Sequence, residues 1–147
     1  MAGDVFLIPK GERTFLAGMA AFAAGHAAYI GAFLSGGPAA TQVFFAGAAA
    51  MTVFTGISLR WLWPHLGDFK TPVAIYSAII AVMVACAFLA SPPGAQAPSL
   101  LVIAGAAGFA VSDVSVAKDK FIAPEFFNRA WGLPLYYGAQ LLLAASV

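Results

Sequence analysis

The chain has 147 residues, 62% of them hydrophobic and 9% charged, with a formal net charge of +1. A soluble domain carries about 25% charged residues, so this chain lacks the polar side chains to cover a water-facing surface. Its near-neutral charge excludes a nucleic-acid partner, and its single cysteine, Cys86, excludes a disulfide framework or a cysteine-based metal site. Taken in order, Met1–Arg13 contains Asp4 and Glu12 and lacks the short apolar core of a secretory signal. The first helix is therefore expected to direct insertion itself. A helix needs roughly 20 apolar residues to cross a bilayer, and five stretches approach this: Thr14–Leu34, Ala39–Leu59, Thr71–Ala90, Pro98–Ala117 and the shorter Trp131–Val147. Continuous rather than alternating runs predict helices, since open sheet edges find no partner in lipid. Ser35-Gly36-Gly37-Pro38, Trp63-Pro64 and Ser91-Pro92-Pro93-Gly94 supply breakers between runs. The expectation is an all-α, polytopic membrane protein of about five transmembrane helices, forming one domain over residues 1–147, with no internal repeat.

Lys and Arg bias the loops that stay cytoplasmic. All seven lie in three segments: Lys10 and Arg13 before the first run, Arg60 and Lys70 after the second, and Lys118, Lys120 and Arg129 after the fourth. With five helices these segments share one face, which predicts a cytoplasmic N-terminus in a bacterial inner membrane. Trp61, Trp63 and Trp131 fall at the same interface, as an aromatic belt would. Small residues recur at helical spacing in the first run (Ala17, Ala21, Gly25, Ala28) and the fourth (Gly105, Gly108, Ser112). Both stripes read as packing faces, because close backbone approach drives helix association in lipid.

A carboxylate inside a membrane helix costs roughly 2.5–3.5 kcal/mol on insertion scales, which marks it as functional or paired. Asp113 is the only charged residue within the five runs. It lies about 6 Å deep by helical rise, shallow enough for snorkelling or helix capping as the plain alternative. His26 stands roughly 18 Å into the first run, with Tyr29 at i+3 on the same face; a lone interhelical hydrogen bonder is its plain reading. Tyr136 and Gln140 share a face of the last run. Asp4, Tyr76, Asp113 and Tyr136 fall at similar depth on the cytoplasmic side, with Gln140 and His26 deeper, which suggests a polar cavity opening inward. Spacing leaves helix rotation open, and with it whether these groups meet. His65 stands in a loop without metal-ligating neighbours, and no zinc-ligand spacing occurs.

Several of these residues sit in strings that resemble one family. Gly3-Asp4-Val5-Phe6-Leu7, Phe22-x-x-x-His26-x-x-Tyr29, Tyr76-x6-Met83, Phe109-Ala110-Val111-Ser112-Asp113 followed by Phe121, and Tyr136/Tyr137 to Gln140 occur in the order found in the YhhN family of lysoplasmalogenase-like membrane proteins. Family members carry two or three further helices before the Gly-Asp segment, whereas this chain starts almost on it, as if N-terminal helices were lacking. The resemblance implies hydrolysis of the vinyl-ether bond of lysoplasmalogens, giving a fatty aldehyde and a glycerophospho-alcohol. That chemistry needs a proton on the alkenyl carbon and water on the resulting oxocarbenium ion, which suits one protonated and one ionised carboxyl, as in glycoside hydrolysis. On this reading Asp113 and Asp4 are the catalytic pair, Asp113 the better candidate for the acid, with the roles open to exchange. His26, Tyr29, Tyr76, Ser112, Tyr136 and Gln140 are the expected substrate-binding set. A lysophospholipid-like substrate is implied, and no metal or organic cofactor. Two rival readings stay open: a small transporter or channel with a path through Asp113 and His26, or a non-catalytic assembly subunit whose polar residues only join helices.

Overall fold

A computed structural model describes residues 11–35, 41–90 and 99–146. The described residues form five long helices and no strand: α1 (Glu12–Ser35), α2 (Thr41–Leu62), α3 (Lys70–Ala87), α4 (Leu100–Phe121) and α5 (Phe126–Ala144). Among the described residues, four helical stretches are long and apolar enough to cross a membrane: Glu12–Ser35, Val43–His65, Gly67–Ala87 and Leu100–Phe121. The chain is an integral, all-helical membrane protein. The fifth helix starts at Phe126, ahead of the expected Trp131, and falls outside that set. Asn128, Arg129, Tyr136, Tyr137 and Gln140 dilute its apolar content.

Local chemistry sets the boundaries. Glu12 occupies the first turn of α1, where a negative charge meets the positive end of the helix dipole. Arg60 in the last turn of α2 complements the opposite end. Pro64 then opens a 3₁₀ turn, Trp63–His65, because its ring nitrogen cannot donate to a continuing α-helix. A second turn, Gly67–Phe69, leads into α3. Gly67 takes φ +49°, a left-handed conformation that a Cβ disfavours. Pro72 falls in the first turn of α3, where a missing N–H leaves no bond unmade. Ser99 caps α4, its hydroxyl accepting from the Val102 amide at 3.5 Å. Lys118 and Lys120 stand at the α4 C-terminus, again matched to the dipole.

Helix α3 is the hub, packed against α1, α2 and α4, while α5 lies along α4 in the most extensive helix pair. The main core joins Phe33 of α1, Met51 of α2, Ile80, Met83, Val84 and Ala87 of α3, Ala106 and Ala110 of α4, and Leu143 of α5. A second cluster gathers Leu62, Leu66 and Val73 under Phe69 and Phe121. There Phe15, Phe69 and Phe121 meet edge-on or tilted at centroid distances of 5.5–5.8 Å. The Lys120 Nζ sits 4.8 Å from the Phe15 ring, a cation–π contact.

Of the two small-residue stripes, the one on α4 packs as expected. A Cβ added at Gly105 would come within 2.8 Å of the Leu143 Cγ and 3.1 Å of the Ala139 carbonyl. One at Gly132 of α5 would reach 2.6 Å from the Ser115 Cβ. The stripe on α1 does not pack: a Cβ on Gly25 would meet nothing within 4 Å, and Gly25 and Ala28 are exposed. The face α1 buries instead carries Phe15, Gly18, His26 and Phe33. This face is equally periodic, but it is filled by large side chains that reach across to α3 and α4. At the α4–α5 corner, Asn128 is fully buried. Its Nδ2 donates to the Ala123 carbonyl at 2.8 Å, and its own carbonyl accepts from the Ser115 hydroxyl at 2.8 Å.

Candidate functional site

Three helices bring polar side chains to one point. Tyr76, in the second turn of α3, donates its hydroxyl proton to Oδ2 of Asp113 on α4 at 3.0 Å. The Tyr76 hydroxyl oxygen itself lies 3.4 Å from Nε2 of His26 on α1. A phenol has one proton to give. With that proton directed at Asp113, the Tyr76 oxygen is left to accept, which pairs it with the Nε2–H tautomer of His26. The result is a linear chain, His26–Tyr76–Asp113. The outer link is longer than the usual 2.7–3.2 Å for N–H···O bonds, and so is the weaker of the two.

Aromatic rings frame the chain. His26 is 2% exposed, its imidazole meeting the Phe109 ring at 4.7 Å, nearly perpendicular, and that of Tyr76 at 5.8 Å. Phe109 is one helical turn before Asp113 and is itself 1% exposed. It also touches Phe22 at 6.1 Å and Tyr136 at 5.3 Å. Tyr136 of α5 is buried against Phe22 at 6.1 Å. This ring set holds the imidazole from two sides, so the polar chain has a defined geometry in an apolar surround.

The remaining expected site residues take other positions. Gln140, a turn beyond Tyr136, is half-buried, and no hydrogen bond ties up its amide among the described residues. Ser112 is buried with its hydroxyl turned back to the Phe109 carbonyl at 2.7 Å, on the side of α4 that faces α5. Tyr29 stacks on Phe33 at 5.8 Å and packs against the main core. Asp4 lies outside the described residues. Phe109 was not singled out from the sequence, although its place four residues before Asp113 puts the two on one helix face. Among the described residues no three His, Cys, Asp or Glu side chains gather to hold a metal ion.

Chemically, the arrangement offers a carboxyl that can hold or release a proton, with a phenol beside it that can donate to the carboxylate. The phenol can equally turn to His26 when the carboxyl is protonated. Such a hydrogen-bonded group in a water-poor setting is equipped for general acid–base work.

The model of the YhhN family matches residues 1–147 of the chain. Curated relatives include lysoplasmalogenase TMEM86A of Bos taurus, 35% identical over 158 residues that cover 98% of this chain and 60% of the relative. The lysoplasmalogenase of Mycobacterium bovis is 34% identical over 155 residues, covering 98% of this chain and 55% of that protein. Lysoplasmalogenase TMEM86A of Homo sapiens is 33% identical over 149 residues, with coverages of 98% and 60%. The chain thus spans 55–60% of the length of these relatives. No solved structure matches it significantly.

Proposed function

The chain belongs to the YhhN family, and from that premise we propose that it is a lysoplasmalogenase-like hydrolase. It cleaves the vinyl ether of a lysophospholipid-like substrate to a fatty aldehyde and a glycerophospho-alcohol. The observation that carries this reading is the Tyr76–Asp113 hydrogen bond at 3.0 Å, which gives the one carboxyl of the apolar runs a phenol partner. Relatives named lysoplasmalogenase support the choice of reaction.

In the proposed mechanism Asp113 delivers its proton to the alkenyl carbon β to the ether oxygen. The carbon bound to oxygen becomes an oxocarbenium ion, and the Asp113 carboxylate left behind stabilises its positive charge. The Tyr76 hydroxyl, 3.0 Å from Asp113, donates to the new carboxylate, compensating the charge where water cannot. Water adds to the cation with Asp4 as base, and the hemiacetal breaks to aldehyde and alcohol. Tyr136 and Gln140 bind the glycerol portion. Ser112 and Tyr29 act as supports, the first against α5 and the second through Phe33. The protein sits in a bacterial plasma membrane with its N-terminus and three basic segments cytoplasmic, where Lys and Arg attract the phosphate head group.

The test is aldehyde release from a lysoplasmalogen by the purified full chain and its Asp113→Asn variant. Release by the wild type alone, with both proteins equally folded, is expected. Turnover that survives in Asp113→Asn removes Asp113 from the mechanism, and a folded wild type that releases nothing refutes the substrate assignment.

A further inference from the structure

Tyr76 belongs to two features at once. Its hydroxyl joins the polar chain, and its side chain also lines a groove of about 170 Å³ between α1 and α3. The other walls include Leu16, Ala20 and Ala23 of α1 and Ile75 and Ile79 of α3. Tyr76 is the only lining residue with a side-chain hydroxyl, amide or charge, so the groove is otherwise apolar and shares this one residue with the site. The groove opens outward: Leu16 is 39% and Ile75 58% exposed, so a molecule dissolved in the bilayer reaches it sideways without passing through water. From Leu16 to Ala23 the wall runs about 10 Å by helical rise, the larger part of the roughly 15 Å that one leaflet contributes to the hydrocarbon core.

We propose that this groove holds the proximal part of the single hydrocarbon chain of the substrate. The inference rests on the hydrolase reading above and deepens it. In a vinyl ether the reacting carbons are the first two of the chain, so the carbons that follow must enter an apolar space within a side chain's reach of Asp113. The groove meets that requirement through Tyr76, whose hydroxyl is 3.0 Å from the carboxyl.

The deciding experiment uses the full chain in phosphatidylcholine vesicles. A non-hydrolysable single-chain ether lysophospholipid with a diazirine in the first third of its chain is photolysed, and the labelled peptides are mapped. Labelling is expected on residues 16–23 and 72–79. An excess of unlabelled ether lysophospholipid should suppress it, and added diacyl phosphatidylcholine should not. Label spread over the outer faces of α2 and α5, equal response to both competitors, or no label because a protein segment fills the groove overturns the proposal. This readout needs no turnover, so it fails or succeeds apart from the aldehyde assay that tests the hydrolase reading. Where the wild type releases aldehyde, Ala23→Trp should cut kcat/KM for a long-chain vinyl ether by about tenfold or more, the range for misfit in a hydrophobic pocket. An analogue whose chain stops at the vinyl carbons, and so leaves the groove empty, should lose much less. Equal loss for both substrates, or loss for neither, refutes the groove, and Ala20→Leu serves if the Trp variant does not fold.

Discussion

Replacing Tyr76 with Phe removes one oxygen and, with it, both links of the polar chain while leaving the ring in place. The link to Asp113 is 3.0 Å and the link to His26 is 3.4 Å, so the first should carry most of the energy. A hydrogen bond to an ionised group contributes about 1.5–3 kcal/mol in proteins generally. Interhelical polar contacts in a bilayer average about 0.6 kcal/mol and reach about 1.7. A carboxylate acceptor at good length belongs near the upper end of the membrane range, so the Tyr76–Asp113 coupling should be about 1–2 kcal/mol. The longer His26 link should fall nearer the average of about 0.6 kcal/mol. Double-mutant cycles read both values: Tyr76→Phe with Asp113→Asn, and Tyr76→Phe with His26→Ala, each followed by denaturant titration in mixed micelles. A His26 coupling equal to or larger than that of Asp113 would refute the assigned order of the chain. If neither coupling differs from zero, the three side chains do not form a chain at all.

Gly132→Ala should lose about 1–3 kcal/mol through overpacking despite better helix propensity, because its Cβ would press on Ser115 and through it on the bond to Asn128. Thermal unfolding in detergent should show the loss, and Ser115→Gly should restore much of it in the double variant; a single variant more stable than wild type contradicts the close α4–α5 crossing. Gly67→Ala should cost about 1–2 kcal/mol from its left-handed backbone alone, since a Cβ there meets nothing within 4 Å. Gly67→Asn should cost less, because Asn tolerates that conformation, and a reversed order in melting temperature sinks the explanation. Arg129→Gln should change stability by less than about 1 kcal/mol, as its pair with Asp119 is 3.2 Å long but 59% exposed on the arginine side. The difference should shrink in high salt, and a salt-independent loss would mean the pair works as a buried one.

Helices were legible because lipid demands length and apolarity, and both can be read from single residues. The start of α5 was not, because Asn128 and Arg129 look like loop residues until Asn128 is seen capping a corner through the Ala123 carbonyl. The packing face of α1 was misread for a related reason. In lipid both faces of a helix are apolar, so the small residues at Ala17, Ala21 and Gly25 and the large ones at Phe15, His26 and Phe33 carry the same helical period. Only the partner helix decides between them. The site followed the same logic. Depth put Tyr76 and Asp113 at one level, and their contact agrees with that, but depth says nothing of rotation about each helix axis. Rotation brought His26 to Tyr76 and left Tyr29, three residues on, stacked on Phe33.

The polar chain also imposes an order on biosynthesis. Its members are far apart in sequence, His26 and Tyr76 by 50 residues and Tyr76 and Asp113 by 37. At about 5–20 residues per second, several seconds pass between the emergence of one member and the next. His26 therefore enters the bilayer with no partner yet made, whereas Asp113, the costliest to insert, arrives after Tyr76 is already there to receive it. A nascent α4 should thus partition into the membrane more readily behind a wild-type α3 than behind one carrying Phe at position 76. The bond that serves the finished site would then also act as an insertion aid for the helix that completes it.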